Sequence, residues 1–132
     1  MEIEELIERF SFFDDWQERY RYIIDLGMKL PPMDDVHKIE DNKVRGCMSQ
    51  VWMTHRLEGP ALHFLADSDS HIVKGLISVL LTLYSGRTSD EVLAVDIERV
   101  FQEIGLNQHL SPNRRNGFYS MVERIRSVAA AQ

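Results

Sequence analysis

Cys47 is the side chain in this 132-residue sequence whose type most directly offers a nucleophile, and it is the only cysteine. It lies in Val44-Arg45-Gly46-Cys47-Met48-Ser49-Gln50-Val51-Trp52. A thiolate attacks sulfur or carbon or binds a metal, whereas a buried thiol is an inert small hydrophobe, the commoner fate of a free cysteine. Three neighbours favour the reactive reading. Gly46 admits backbone conformations closed to other residues, Lys43 and Arg45 are cations that favour a thiolate, and a loop position allows movement. Being alone, Cys47 can neither close a disulfide within the chain nor run a two-cysteine redox cycle, and a reducing compartment suits it.

The remaining chemistry-bearing residues are weaker candidates. His37, His55, His63, His71 and His109 are scattered without metal-ligand spacing, so no metal is expected. A Cys–His pair is conceivable but lacks a local protease signature, and no glycine-rich phosphate loop is present. Trp52 is expected in core packing, because strand aromatics usually pack inward. Asp67 and Asp69 are expected chiefly as a helix cap. Arg114 and Arg115 open a helix, where cations oppose its dipole, which makes a binding role worth testing.

The elements that must position Cys47 can be read from periodicity. Ile3, Leu6, Ile7 and Phe10, then Trp16, Tyr20, Ile23 and Ile24 after Asp14-Asp15, predict two short amphipathic helices. Gly27 is expected to end the second, and Leu30-Pro31-Pro32 cannot continue it. Val51–Leu57 and Ala61–Ala66, separated by Glu58-Gly59-Pro60, predict an antiparallel hairpin, with an earlier short strand at 37–40.

Asp67-Ser68-Asp69-Ser70 precedes the apolar stripe Ile72, Leu76, Val79, Leu80 and Leu83, a helix expected to end at Gly86. Thr88-Ser89-Asp90-Glu91 fits a capping box, Asp96 caps another short helix, and Ser111-Pro112 starts a closing helix with Tyr119, Val122, Ile125 and Ala129 inward. Strands grouped between helical halves give an α+β class with a small antiparallel sheet of about three strands packed against flanking helices. Residues 1–132 are expected to form a single domain, since no linker divides them.

Composition excludes several functions. With 44% hydrophobic and 27% charged residues the chain is globular in type. A formal charge of -6 and a pI near 5.3, with no basic run, argue against duplex nucleic acid as the main partner. Leu76–Leu83 is too short to cross a bilayer and the acidic start Met1-Glu2-Ile3-Glu4-Glu5 is unlike a signal peptide, so the sequence reads as soluble and cytoplasmic, with no membrane partner.

The motif Val44 to Trp52 closely resembles the cysteine loop of the SufE sulfur-acceptor family. Trp16 to Ile24 with Leu26-Gly27 and Leu30-Pro31 resembles its second helix and following loop, and Ala66-Asp67-Ser68-Asp69 running into Ile72 to Leu76 its helix start. Gly105-Leu106, His109-Leu110-Ser111-Pro112, Arg114 and Asn116-Gly117 resemble its C-terminal motif. Met48 stands where the family often has Gln, and Phe118 where an aliphatic residue is common; these departures leave partner preference open, though Met48 to Trp52 looks closer to SufE itself than to its CsdE relatives.

The resemblance implies a SufE/IscU-like fold whose cysteine loop tucks its thiol into an apolar cavity. It also implies that Cys47 accepts persulfide sulfur from a pyridoxal-phosphate-dependent cysteine desulfurase of the SufS type, stimulates that enzyme, and passes sulfur to the SufBCD scaffold for iron–sulfur cluster assembly. Gly46, Ser49, Gln50 and Trp52 would support the loop, and Asp67, Asp69 and Arg114 would serve partner binding or loop positioning. The pyridoxal phosphate would belong to the partner, leaving this chain without a cofactor, and a homodimer stays open. Two other classes compete: a stand-alone cysteine hydrolase, and an iron–sulfur scaffold, for which one chain offers a single thiolate.

Overall fold

The computed structural model describes residues 2–132. Helix α1 (Ile3–Ser11) buries Leu6 and Phe10 and leaves its polar face in solvent. Helix α2 (Trp16–Met28) begins at Asp15, whose carboxylate accepts the Glu18 N–H at 2.8 Å. Gly27 does not end α2, contrary to the expectation. A Cβ there would stand 2.6 Å from the backbone nitrogen of Gly75, so the glycine serves a helix crossing and Leu30-Pro31-Pro32 supplies the stop.

The strand expected at 37–40 is absent. The chain instead makes 3-10 turns at Asp35–His37 and Glu40–Asn42, and the Asn42 side-chain amide donates to the His37 carbonyl at 2.7 Å, closing the segment on itself. Strands β1 (Val51–Glu58) and β2 (Ala61–Ser68) pair antiparallel, Val51 opposite Ser68 and Glu58 opposite Ala61, around the turn Gly59-Pro60. The third strand is β3 (Arg87–Thr88), which pairs with Ala61-Leu62 and gives the order β1-β2-β3. The α+β class with a three-stranded antiparallel sheet therefore holds, while its third strand comes from after the central helix.

That helix, α3 (His71–Tyr84), is largely apolar and is buried by β2 on one side, by α2 on another and by the C-terminal helix. Each fully buried aliphatic such as Leu76, Leu80 or Leu83 contributes ~1.5–3 kcal/mol. Its cap is Ser70, whose hydroxyl accepts the Val73 N–H at 3.4 Å. Asp67 and Asp69 do not cap it: Asp67 lies in β2 and Asp69 bonds the cysteine loop.

Helix α4 (Ser89–Leu93) starts with the expected capping box, Glu91 N–H to Thr88 Oγ1 at 3.2 Å and Thr88 N–H to Glu91 Oε1 at 2.9 Å. Helices α5 (Ile97–Glu103, capped by Asp96) and α6 (Leu106–His109) lead to α7 (Pro112–Ala130), capped by Ser111. Val122, Ile125 and Ala129 of α7 are buried as expected, and Tyr119 is half-buried against Phe101 and Phe118.

Candidate functional site

The segment Val44–Gln50 leaves and re-enters the sheet at the start of β1, and sheet-like bonds close its base. Val44 N–H donates to Val51 O at 2.9 Å, and Lys43 bridges antiparallel to Trp52. At the far end, Gln50 N–H donates to Asp69 Oδ1 at 3.1 Å and Asp69 N–H returns to Gln50 O at 3.4 Å. Asp69 thus ties the loop to the end of β2.

Within the loop, Gly46 has φ +90°, a left-handed conformation that favours glycine, and any Cβ there would collide with the Ser120 hydroxyl of α7. This turn points Cys47 inward. Its Sγ lies 3.5 Å from the Gly117 carbonyl oxygen, a distance at which the thiol donates a weak hydrogen bond. Gly117 lies within α7, and a Cβ on it would stand 3.4 Å from Sγ. The missing side chain is the thiol's berth.

The thiol opens on a pocket of about 390 Å³ with an apolar floor of Val73 and Leu76 from α3 and Phe118 and Met121 from α7, and a polar rim of Ser49, Ser111, Asn113 and Arg114. Cys47 itself is half-buried, and Met48 beside it is 80% exposed. Burial pushes the Cys47 thiol up from its ordinary pKa, because the apolar surroundings disfavour the charged form. The cations expected to favour a thiolate are engaged elsewhere: Lys43 and Arg45 both pair with Glu40, at 3.2 and 3.3 Å. Burial and the loss of both cations to Glu40 leave the protonated thiol favoured over the thiolate relative to a free cysteine.

The structure brings Cys47, Gly46, Ser49, Gln50, Asp69 and Arg114 together around this pocket and its loop. Trp52 departs from the core reading. It alternates with the buried Val51 and Met53, stays half-buried, and lies with the Lys38 ammonium 5.7 Å from its ring centroid.

Asp67, directly opposite Trp52 in the register, is buried and sits apart from the pocket. Burial by itself would raise its pKa, but the Ser68 N–H and the ammonium groups of Lys38 (3.3 Å) and Lys74 (3.6 Å) outweigh it and hold the carboxyl below its usual range. It fastens the segment leading into the loop onto the sheet and α3.

Among the described residues no histidine lines the Cys47 pocket, and no three His, Cys, Asp or Glu side chains are grouped to hold a metal. Gly117 as the contact of the thiol was not legible as a site from periodicity. A glycine inside a helix, which costs about 1 kcal/mol against alanine, is the signal that marks a packing reason there. Among the described residues no helix is long and apolar enough to cross a membrane.

The family model "SufE: Fe-S metabolism associated domain" matches residues 4–129. An uncharacterised SufE-like protein of Rhizobium meliloti (strain 1021) is 45% identical over 131 residues, covering 96% of this chain and 94% of that protein. One of Rhizobium etli is 46% identical over 131 residues, covering 96% of this chain and 88% of that protein. The solution structure of a hypothetical protein from Thermus thermophilus shares the fold, with a TM-score of 0.79 over 98% of this chain and 93% of that one at 18% identity. With the family's domain spanning nearly its whole length and its cysteine motif folded into a pocketed loop, this chain belongs to the SufE family of iron–sulfur metabolism proteins.

Proposed function

We propose that Cys47 receives a sulfur atom from the persulfide of a pyridoxal-phosphate-dependent cysteine desulfurase of the SufS type, thereby stimulating that enzyme. The bound sulfur then passes to a SufBCD scaffold in the cytoplasm. The observation that carries this reading is the half-buried thiol on a loop, seated between apolar floor and polar rim, with Met48 exposed beside it. Docking draws the loop out, and solvent or a partner base takes the thiol proton.

The Cys47 thiolate attacks the outer sulfur of the desulfurase persulfide. A new S–S bond forms at Sγ, the enzyme's S–S bond breaks, and the enzyme cysteine leaves as thiolate. No external oxidant or reductant is needed, because the sulfane sulfur carries its oxidation state with it. The pocket then shields the persulfide from water and from other thiols. A single cysteine suits a carrier, because a second nearby thiol would attack the persulfide, release sulfide and leave a disulfide.

The other residues have supporting roles in this reading. Gly46 and Gln50 shape and tie the loop, Ser49 borders the thiol, and Trp52 with Lys38 fixes its base. Asp69 latches the loop, Asp67 anchors the segment before it, and Arg114 at the pocket rim meets a partner's acidic groups. The pyridoxal phosphate is the desulfurase's.

Intact-protein mass spectrometry after incubation with a SufS-type desulfurase and free cysteine tests the proposal. One added sulfur, removed by reductant and mapped to Cys47, is expected. Cys47→Ser is expected to gain none and to lose desulfurase stimulation while melting like the wild type. Stimulation retained by Cys47→Ser overturns the reading.

A further inference from the structure

The cysteine loop does not rest on α7 by its thiol alone. Gly117, Ser120 and Arg124 follow one another at helical spacing on one face of α7, and each meets a successive part of the loop region. Gly117 faces Cys47 and Ser120 faces Gly46. The Arg124 guanidinium donates from one nitrogen to the Lys43 carbonyl and from the other to the Asp41 carbonyl, both at 3.3 Å. Those carbonyls belong to the middle of the 3-10 turn Glu40–Asn42 and to the residue after it, where carbonyls lack partners within the turn. The sulfur transfer itself makes no use of Arg124.

We propose that Arg124 is a positioning residue for the reacting thiol, clamping the base of the cysteine loop to α7 so that Gly46 meets Ser120 and Cys47 enters its berth at Gly117. The proposal deepens the sulfur-acceptor reading, since it takes Cys47 as the reacting group. A fork of fixed geometry spans two carbonyls at once, which a lysine ammonium does less well and an uncharged side chain less well still. Lys43 and Arg45, the cations on the loop itself, are paired with Glu40 and leave this anchoring to α7. Arg124 thereby sets how readily Cys47 leaves the pocket without touching the thiol.

The test is the rate at which iodoacetamide alkylates Cys47 at fixed neutral pH, with no partner present, in wild type and in Arg124→Ala, Arg124→Gln and Arg124→Lys. Freeing the loop base is expected to raise the rate about tenfold in Arg124→Ala, with Arg124→Gln intermediate and Arg124→Lys closest to wild type. Hydrogen exchange at the Val44 N–H, whose bond to Val51 closes the loop base, should quicken in the same order.

A role confined to the surface of α7 would leave both readouts unmoved. If Arg124→Ala does not fold, Arg124→Gln carries the test. Wild-type rates of alkylation and exchange in folded Arg124→Ala or Arg124→Gln overturn the proposal. Because no sulfur donor is used, failure of sulfur loading with a correctly graded alkylation series would sink the acceptor reading and leave the role of Arg124 standing.

Discussion

Two places in this molecule bring segments close together at a glycine, and they are built differently. At the α2–α3 crossing, Gly27 meets the Gly75 nitrogen, and a Cβ on Gly75 would strike the Ile23 carbonyl, all among buried aliphatics. The neighbours there are main-chain atoms, with the Ile23 side chain beside them, inside a close-packed core. At the cysteine loop, Gly46 faces the Ser120 side chain and Gly117 faces Cys47, its thiol nearest, and the loop is tied down by hydrogen bonds at its ends. The first contact joins two core helices; the second seats a surface loop on α7. Glycine thus lets two helix backbones approach at the crossing and gives a side chain its seat at the loop.

The largest expected effect falls on the helix crossing. Gly75→Ala forces α2 and α3 apart and should lower stability by about 3 kcal/mol, read as a shifted urea midpoint. A loss under ~0.5 kcal/mol would show that the crossing yields, and the contrast between the two regions would fail.

Next in size is Asp67, which holds the approach to the loop. Its folded pKa lies below the unfolded value, so its contribution is present above the unfolded carboxylate range and is lost as pH falls through the folded pKa. Asp67→Asn is expected to cost about 2 kcal/mol at pH 7. That gap to wild type should stay constant down to about pH 4 and close below it, as measured by denaturation at a series of pH values. A gap that widens with acid would refute the assignment.

The smallest stability effect has the opposite sign. Gly117→Ala replaces a helix-interior glycine and puts a methyl at ordinary contact distance from Sγ, so stability should rise by ~0.5–1 kcal/mol. The same methyl takes the space a second sulfur needs. Sulfur loading of Cys47 by the desulfurase should therefore drop several-fold while the melting temperature climbs. Unchanged loading would mean that the berth is not used by the persulfide.

The capping box at Thr88, the proline start of α7, the hairpin turn and the apolar stripe of α3 were legible in the sequence, because each is decided by residues a few positions apart. So was the placing of Cys47 in a glycine-bearing loop just ahead of β1. The source of the third strand was not, since whether Arg87–Thr88 or residues 37–40 reach the sheet depends on where α3 delivers the chain. Gly27 read as a stop because local rules give glycine that role, while its use came from a helix met only in three dimensions.

The fate of the cations followed the same logic: Lys43 and Arg45 flank Cys47 in sequence yet turn to Glu40, while Arg124, remote in sequence, holds the loop. Sequence determined which groups were present and which segments would turn, coil or pair. Tertiary packing alone decided which of them share a pocket and how buried the thiol is, because burial and electrostatic partnership are properties of space rather than of chain order.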